Sequence, residues 1–167
     1  MDALQFYAFS ANKAAGKGIG DIVQDASKYT ELNKIENWRR TFSSLWEEAF
    51  LFEGYHYKSF EHCFQASKFN ATGHSDIGFK FTMESNCQLN AQKSKRIYKL
   101  SEPEIKLWDE KKSEIKEKIY RAKFFPGSVA HSALINTGDA MLINAGPRIK
   151  KIRCTRMEKL REELRKV

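Results

Sequence analysis

Apolar and polar residues alternate with a helical period over much of the second half of the chain. Apolar residues recur at this spacing at Ile105, Trp108, Ile115, Ile119 and Ala122. The segment Ser101–Glu104 precedes them in the Ser-x-x-Glu order of a capping box, so a long helix should begin there. Pro126–Gly127 should end that helix, and a short helix should follow from Ser128. Residues 157–164 carry another apolar stripe, which predicts a final amphipathic helix.

Short runs of aromatic and aliphatic residues predict a small sheet. Residues 5–9 should form a strand near the start of the chain. Residues 50–52 and 55–57 are separated by Glu53–Gly54, which predicts a hairpin because glycine tolerates the backbone of a tight bend. Residues 140–143 predict one more strand.

These elements together predict an α+β fold that is mainly helical with a small β-sheet. Residues 72–90 are rich in Gly, Ser, Asn and Thr and predict a loop. The 167 residues contain no internal repeat and no linker rich in proline or glycine. We therefore expect a single domain over residues 1–167.

Composition restricts where such a chain would work. No apolar run approaches the roughly 20 residues that a membrane-spanning helix needs. Residues 1–6 lack the basic-then-apolar order of a secretion signal. Cys63, Cys87 and Cys154 are odd in number and far apart, which predicts free thiols in a reducing compartment. We therefore expect a cytoplasmic protein with no membrane partner.

The segment from Tyr57 to Phe69 combines a predicted helix with an unusual polar face. Ser59 is the expected N-cap. Glu61, Gln65 and Lys68 follow at i, i+4 and i+7, and at about 100° per residue these positions share one face. The neighbouring apolar flank consists of Phe60, Cys63 and Phe64. A carboxylate, an amide and an amine beside aromatic rings predict the floor of a polar pocket.

Glu61 and Lys68 each have a structural and a functional interpretation. Acidic residues are favoured in the first turn of a helix and basic residues near its end, because both offset the helix dipole. In a pocket, however, the dipole and the Lys68 ammonium would favour an ionised Glu61, which suits a general base or a carboxylate that stabilises a cation. A desolvated Lys68 would suit a nucleophile toward a sugar carbon. The sequence alone does not decide between the structural and the functional interpretation of either residue.

A glycine-rich loop and a group of His and Cys residues are two weaker candidates for a binding site. The loop of residues 14–20 contains Gly16, Lys17, Gly18 and Gly20, which could surround a phosphate with N–H groups and one ammonium. It lacks the order of a Walker loop and the strand-to-helix setting of a dinucleotide site, so a flexible loop is the alternative. His56, His62 and Cys63 have no further ligand at suitable spacing. We expect no metal and no cofactor.

The end of the chain is strongly basic. Residues 148–167 contain nine Lys or Arg against three Glu, in a chain whose net charge is +8. A basic C-terminal helix of this kind can attract nucleic acid through phosphate groups. The alternative is a solvated helix face.

Several motifs together resemble the YbiA-like, or NADAR, superfamily of N-glycosidases. The central one is Ser59–Phe69 (SFEHCFQASKF), which is similar to the family signature SVEHYYQASKF. The segments that support it are Phe6–Ser10 with Gly16–Gly18, Asn37–Arg39, Thr41–Trp46, Arg121–Phe124 and Leu134–Leu142. These blocks span nearly the whole chain, and the resemblance implies a YbiA-like fold.

The resemblance also implies cleavage of the bond between ribose C1 and a base or amine nitrogen. Family members act on a phosphorylated ribosylaminopyrimidine of the riboflavin pathway, or remove ADP-ribose from modified guanine. By this resemblance Glu61 is the catalytic carboxylate and Lys68 the candidate for imine chemistry at the sugar. Gln65, Tyr7 and Trp46 are the implied pocket neighbours.

Two departures from the family pattern affect the choice of substrate. Ser44 and Leu45 replace the Asn and Phe of the family segment LSNFW. The Trp-Gly motif of the riboflavin-type members is absent, and residues 144–148 with a basic tail occupy that region. This favours the ADP-ribose branch over the riboflavin intermediate.

Our hypothesis is therefore an N-glycosidase acting on an ADP-ribosyl or related ribosyl-base substrate. Lys17 and Arg39 are the candidates for its pyrophosphate, and the rings expected to stack on the base are those of Phe9, Trp46 and Tyr57. One alternative is a non-catalytic module that binds ADP-ribose or nucleic acid. Another is a purely electrostatic DNA-binding protein.

Overall fold

The structure is a computed structural model that describes residues 1–86 and 89–167. In chain order its strands and helices are β1 (Ala3–Phe6), α1 (Thr30–Asn33), β2 (Phe50–Phe52), β3 (Tyr55–Tyr57), α2 (Phe60–Ala71), α3 (Ser75–Phe79), α4 (Glu102–Lys123), α5 (Val129–Asn136), β4 (Met141–Gly146), β5 (Ile149–Arg153) and α6 (Thr155–Arg165). Short 3₁₀ helices lie at Ala26–Tyr29, Trp38–Phe42, Met83–Ser85 and Ala91–Arg96. This content confirms the predicted α+β fold.

The chain folds into two compact units. Unit 1 consists of Met1–Trp46 and Phe124–Val167, and unit 2 is the continuous segment Glu47–Lys123. The expectation of one domain over residues 1–167 stays a prediction. Within the described residues no helix is long and apolar enough to cross a membrane.

Unit 1 is built on a three-stranded sheet in the order β1, β4, β5. β1 runs parallel to β4 with Leu4 opposite Leu142, and β5 pairs antiparallel to β4 at the edge. Leu4 and Leu142 are fully buried. Aromatic rings also belong to this core, where Phe42 makes edge-to-face contacts with Phe6 and Trp38. Burial of these large side chains is the main term that stabilises the unit.

Unit 2 contains the β2–β3 hairpin and the helices α2, α3 and α4. Glu53 and Gly54 both have positive φ angles, of 47° and 88°, which a two-residue hairpin turn requires. Phe60 of α2 stacks on Tyr120 of α4 with ring centroids 4.6 Å apart. Offset stacking of this kind adds to the free energy gained by burying the rings. The face of α2 that carries Phe60 is therefore anchored in the core.

Helix starts agree with the predictions from local sequence. The Ser59 Oγ accepts a hydrogen bond from the His62 N–H at 3.2 Å and caps α2. At the start of α4, the Ser101 N–H donates to Glu104 Oε2 while the Glu104 N–H donates to Ser101 Oγ, which is a reciprocal capping box. The helix α5 begins after its cap Ser128, also as predicted.

Strand boundaries needed correction at two places. The first strand is Ala3–Phe6 rather than residues 5–9. The chain turns at Tyr7, whose N–H donates to the Ser10 Oγ at 2.8 Å, so Phe9 lies outside the sheet. The strand predicted at residues 140–143 is present, but it begins at Met141 and extends to Gly146.

The prediction of a loop over residues 72–90 was wrong for α3 and for the 3₁₀ helix Met83–Ser85. Packing on α2 explains the difference for α3. Gly78 lies so close to α2 that an added Cβ would fall 2.9 Å from the Ala66 carbonyl oxygen. Tertiary contact thus makes a helix of a segment whose composition favours a loop. Cys63 and Cys154 are free thiols, and the predicted free thiol of Cys87 lies outside the described residues.

The expectation of a basic C-terminal helix also needs correction. Only Thr155–Arg165 is helical, and the cations of residues 148–153 lie in a turn and in β5. Within α6, Arg161 is buried and donates to the Thr137 Oγ1 and the Ala140 carbonyl. The buried charge of Arg161 thus holds α6 against the segment that leads into β4.

Candidate active site

The three polar residues predicted to share a face of α2 do so and are joined by hydrogen bonds. The Gln65 Nε2 donates to the Glu61 Oε1 at 2.7 Å. The Gln65 Oε1 in turn accepts from the Ser94 Oγ at 2.7 Å. The Lys68 Nζ donates to the same Ser94 Oγ at 3.3 Å. We call Glu61, Gln65, Ser94 and Lys68 the α2 network.

Ser94 is the member that sequence reasoning missed. It lies in the 3₁₀ helix Ala91–Arg96, which is 29 positions beyond Gln65, and only 3% of it is exposed. The short element is positioned by its own cap, in which the Asn90 Oδ1 accepts from the Gln92 N–H. Nothing in the local pattern distinguishes Ser94 from a surface serine, so only the folded chain shows it as the bridge between Lys68 and Gln65.

Lys68 is held in an environment that disfavours its charge. Burial lowers the pKa of the Lys68 ammonium, the Glu61 carboxylate opposes this, and Lys95 lowers it further. The ammonium also lies 4.9 Å from the centre of the Phe69 ring, a favourable cation–π contact. Lys68 is therefore half-buried and partnered, unlike an exposed lysine at a helix end.

Glu61 is half-buried and has unused acceptor capacity. Its Oε1 accepts from Gln65, while its Oε2 accepts no hydrogen bond from any residue that the structure describes. A carboxylate has about four lone-pair sites, so this oxygen can still accept from a water or a substrate group. The α2 network thus orients one carboxylate oxygen and leaves the other available.

The apolar flank of α2 lies where the periodicity placed it. Phe60 stacks on Phe64, and the Phe64 ring lies 5.1 Å from the Trp108 ring. Cys63 is fully buried, and burial raises the pKa of its thiol, so it stays protonated at neutral pH. These side chains belong to the core of unit 2 and keep α2 in place.

Tyr7 and Phe9 line a cavity of about 430 Å³ in unit 1. The other residues of its wall are Gln5, Ser10, Ala11, Lys13, Gly18, Ile19, Arg39, Ala145, Gly146 and Pro147. Phe9 is 72% exposed and meets the half-buried Tyr7 edge-to-face. A volume of this size is within the range of about 300–1,000 Å³ typical of small-molecule sites.

Arg39 also lines the cavity, but its hydrogen bonds are directed into the protein. Its five N–H groups are occupied by the carbonyls of Gln5, Lys13 and Ala14 and by both carboxylate oxygens of Asp21. The closest contact joins Arg39 to Asp21 at 2.6 Å, and the Asp21 side chain is fully buried. Because every donor is used, we no longer expect Arg39 to bind a pyrophosphate. It supports the loop.

The glycine-rich loop does not present the predicted phosphate cradle. The N–H groups of Gly16 and Gly18 donate to the Asp21 Oδ2 at 2.9 and 3.2 Å. The Asp21 carboxylate thus occupies the position expected for a phosphate, and an outside anion would have to displace it. Lys17 is exposed on this loop, and its role toward a pyrophosphate stays a prediction.

Two of the rings predicted to stack on a base have different outcomes. Tyr57 is only 2% exposed and packs against Phe50 across the hairpin, with ring centroids 6.2 Å apart. The prediction for Tyr57 was therefore wrong, because a base cannot reach a ring that belongs to the core. Trp46 is half-buried, and its contact with a substrate stays a prediction.

The histidines near α2 have protein partners. The His56 Nδ1 lies 2.7 Å from the Glu84 Oε1, and the His62 Nδ1 lies 2.7 Å from the Ser59 Oγ. Among the described residues, no three of His, Cys, Asp or Glu lie close enough to hold a metal ion.

The architecture around both regions is that of a YbiA-like α+β protein. The NMR structure of the E. coli protein YbiA matches 99% of this chain and 85% of its own length, with a TM-score of 0.52. The two sequences are 17% identical, so the likeness shows the fold. No family model and no curated protein matches the chain.

Proposed function

We propose that this protein is an N-glycosidase that cleaves the ribose C1–N bond of an ADP-ribosylated base such as ADP-ribosyl-guanine in nucleic acid. The observation that carries the proposal is the α2 network, in which an oriented carboxylate and a partly desolvated amine share one helix face. Its occurrence in a chain with a YbiA-like fold supports the assignment.

Glu61 supplies the electrostatic part of the reaction. Cleavage passes through a transition state that resembles an oxocarbenium ion, which a nearby carboxylate stabilises. The bonding electrons leave with the base nitrogen, a water oxygen bonds to C1, and the proton that Glu61 takes from this water returns to the leaving nitrogen. Gln65 keeps the carboxylate in place through its 2.7 Å hydrogen bond.

Lys68 has two possible roles that experiment can separate. As a neutral amine, it would bond to C1 while the C1–N bond to the base breaks, and the C1–O bond of the ring would then open to give an imine. The two N–H protons of the amine would pass to the leaving base nitrogen and to the ring oxygen, and water would hydrolyse the imine to the free sugar and the free amine. As an ammonium, it would hold a phosphate oxygen instead. The lowered pKa of Lys68 supports the first role, since more of the amine is uncharged at neutral pH.

The enzymatic test uses two substrates and one matched control. The protein is incubated with DNA that carries ADP-ribosylated guanosine and, separately, with the ribosylaminopyrimidine phosphate, and the released base is measured. Glu61→Gln should lower the rate of base release about 10²–10³-fold. Glu117→Gln, at an exposed carboxylate of α4, should leave the rate unchanged. Full turnover by Glu61→Gln would remove that residue from the mechanism.

The imine is tested by chemical trapping. Borohydride added during turnover should reduce it to a stable amine and add the mass of the sugar to the peptide that contains Lys68. If peptide mapping finds the adduct elsewhere or not at all, covalent catalysis at Lys68 is excluded.

A non-catalytic module that binds ADP-ribose is the second candidate. The cavity with its exposed Phe9 favours it, since a ring open to solvent can stack on an adenine base. Calorimetry would distinguish the two functions. Saturable ADP-ribose binding without release of base from either substrate over hours would favour the module over the enzyme.

A further inference from the structure

We propose that the β4–β5 hairpin and the adjoining cavity of unit 1 form a binding site for single-stranded nucleic acid. Strand phosphates would contact Arg148, Lys150 and Lys151, and one base would stack on Phe9. The site lies wholly in unit 1 and requires no catalysis, so it goes beyond the proposed glycosidase activity.

The charge of the hairpin is the first observation. Residues 140–157 contain five Lys or Arg and no acidic residue. Arg153 is paired with Glu158 at 2.7 Å, and Arg156 also has a partner. Arg148, Lys150 and Lys151 are exposed, and no carboxylate among the described residues is paired with them. Three exposed cations within four residues of the chain are thus available to phosphate groups.

The shape of the hairpin is the second observation. β5 is an edge strand of the sheet, and all five of its residues are exposed. Lysines on an edge strand also prevent pairing with other chains, which is the structural explanation for Lys150 and Lys151. That explanation does not cover Arg148, which lies in the turn with a positive φ of 61°. The turn therefore adds a cation where edge protection needs none.

The cavity next to the turn is the third observation. Ala145, Gly146 and Pro147 form part of its wall, and Arg148 is the next residue in the chain. At Gly146 a Cβ would fall 2.6 Å from the Tyr7 ring, which shows how closely the hairpin backbone packs against that ring. Phe9 also lines this cavity and is mostly exposed.

The exposed ring of Phe9 on the cavity and the exposed cations of the segment that follows Pro147 together favour a single strand over other polyanions. Proteins that bind single strands combine a basic track for the backbone with rings on which bases stack. In a duplex the bases are stacked on one another and cannot reach such a ring without being extruded. An anionic membrane offers charge but no planar group for the cavity.

Binding is measured by fluorescence anisotropy of an unmodified mixed-sequence DNA 12-mer over a series of salt concentrations. Each phosphate contact contributes about −0.7 to the slope of log K against log salt for single strands. The triple variant Arg148→Gln, Lys150→Gln, Lys151→Gln should therefore flatten the slope by about two. Lys99→Gln, Lys106→Gln, Lys111→Gln removes equal charge from exposed lysines of unit 2 and should leave the slope nearly unchanged.

The stacking part is tested separately. Phe9→Ala should weaken binding about tenfold at every salt concentration without changing the slope. Phe125→Ala, at a partly exposed phenylalanine of the same unit, is the control and should bind as the wild type does. All substituted residues have exposed side chains, and thermal melting by circular dichroism checks that each variant is folded.

Several outcomes would overturn the proposal. They are a wild type that does not bind the 12-mer, an equal loss in the two triple variants, and a Phe9→Ala variant with full affinity. If a matched duplex or phosphatidylserine vesicles displaced the labelled 12-mer as well as an unlabelled single strand does, the site would not be specific for single strands. Glu61→Gln should bind the unmodified strand normally, so failure of the glycosidase proposal leaves this result intact.

Discussion

Each of the two units contains a cation and a carboxylate that are connected by hydrogen bonds, but the two arrangements differ. In unit 1, Arg39 and Asp21 contact each other directly, both are buried, and all five donors of the arginine are used. In unit 2, Lys68 and Glu61 are half-buried and separated by the neutral side chains of Ser94 and Gln65.

This difference separates a structural pair from a candidate reactive one. A buried ion pair whose hydrogen-bonding groups are all used has no donor or acceptor free for a substrate. Its net contribution to stability is small, but removal of one partner is strongly destabilising because the other charge stays buried. The α2 network leaves an oxygen of Glu61 available and disfavours the charge of Lys68. Candidate site residues were predicted in both units. Their hydrogen bonds in the structure show which of them can still bind a substrate group.

The largest expected effect concerns the buried Arg39–Asp21 pair of unit 1. Arg39→Ala should lower the free energy of unfolding by about 3–5 kcal/mol, because it leaves Asp21 buried and charged without its partner. Arg40→Ala is the matched control, since Arg40 is half-buried and makes one hydrogen bond of 2.8 Å to the Ser10 carbonyl. It should cost about 1 kcal/mol. Equal midpoints for the two variants in urea denaturation would contradict the structural role of Arg39.

The second prediction concerns Lys123, the buried lysine of unit 2. It tests whether burial in this unit can make a lysine amine neutral, as imine chemistry at Lys68 requires. Burial lowers the pKa of Lys123, at the end of α4, from its ordinary value of 10.5 to about 7, although Glu48 opposes this. Between these pH values the unfolded chain holds a proton that the folded chain lacks. The free energy of unfolding should therefore rise with pH, by up to about 1.4 kcal/mol per unit, and be flat below pH 7.

Lys123→Met should remove this contribution, whereas Lys118→Met, at an exposed position of the same helix, should keep it. Urea denaturation at pH 6, 7.5 and 9 measures the difference between the wild type and each variant. Parallel pH profiles for the wild type and Lys123→Met would show that the buried amine stays charged.

The third prediction separates the two halves of the α2 network. Ser94→Ala should cost about 1 kcal/mol of stability, because it leaves Gln65 and Lys68 without their shared partner. It should also slow base release, since Lys68 is no longer held beside Gln65. Ser85→Ala is the control, because Ser85 is another buried serine of unit 2 whose hydroxyl donates to a carbonyl, that of Thr82. A comparable slowing by Ser85→Ala would mean that Ser94 acts only through stability.

The smallest expected effect is that of Glu61→Gln on stability. An amide can still accept from Gln65, and the position is half-buried, so the free energy of unfolding should change by no more than about 0.5 kcal/mol. Thermal unfolding measures it. A large destabilisation would place Glu61 with Arg39 among the structural charges and would weaken the comparison on which the proposed function depends.

Much of unit 2 could be predicted because its signals act over short distances. The cap at Ser59, the capping box at Ser101 and the turn at Glu53–Gly54 each involve groups within a few residues of one another. The shared face of Glu61, Gln65 and Lys68 follows from helix geometry alone. Such predictions hold whenever the helix forms.

Other features could not be predicted because their partners are distant in sequence. Asp21 and Arg39 are 18 positions apart, and nothing local indicates that Asp21 takes the N–H groups of the glycine loop. The strand β5 escaped prediction because its charged sequence, IKKIR, forms an edge strand only where β4 supplies a partner.

The sequence by itself determined the α+β class, the main helices with their caps, and the alignment of three polar side chains on α2. Only the tertiary structure decided that Arg39 is internally saturated, that Tyr57 is a core residue, and that Ser94 completes the α2 network. The physical reason is the range of the interactions. Helical period and capping are set within one or two turns, whereas burial and the choice of hydrogen-bond partner depend on which distant segments the folded chain brings together.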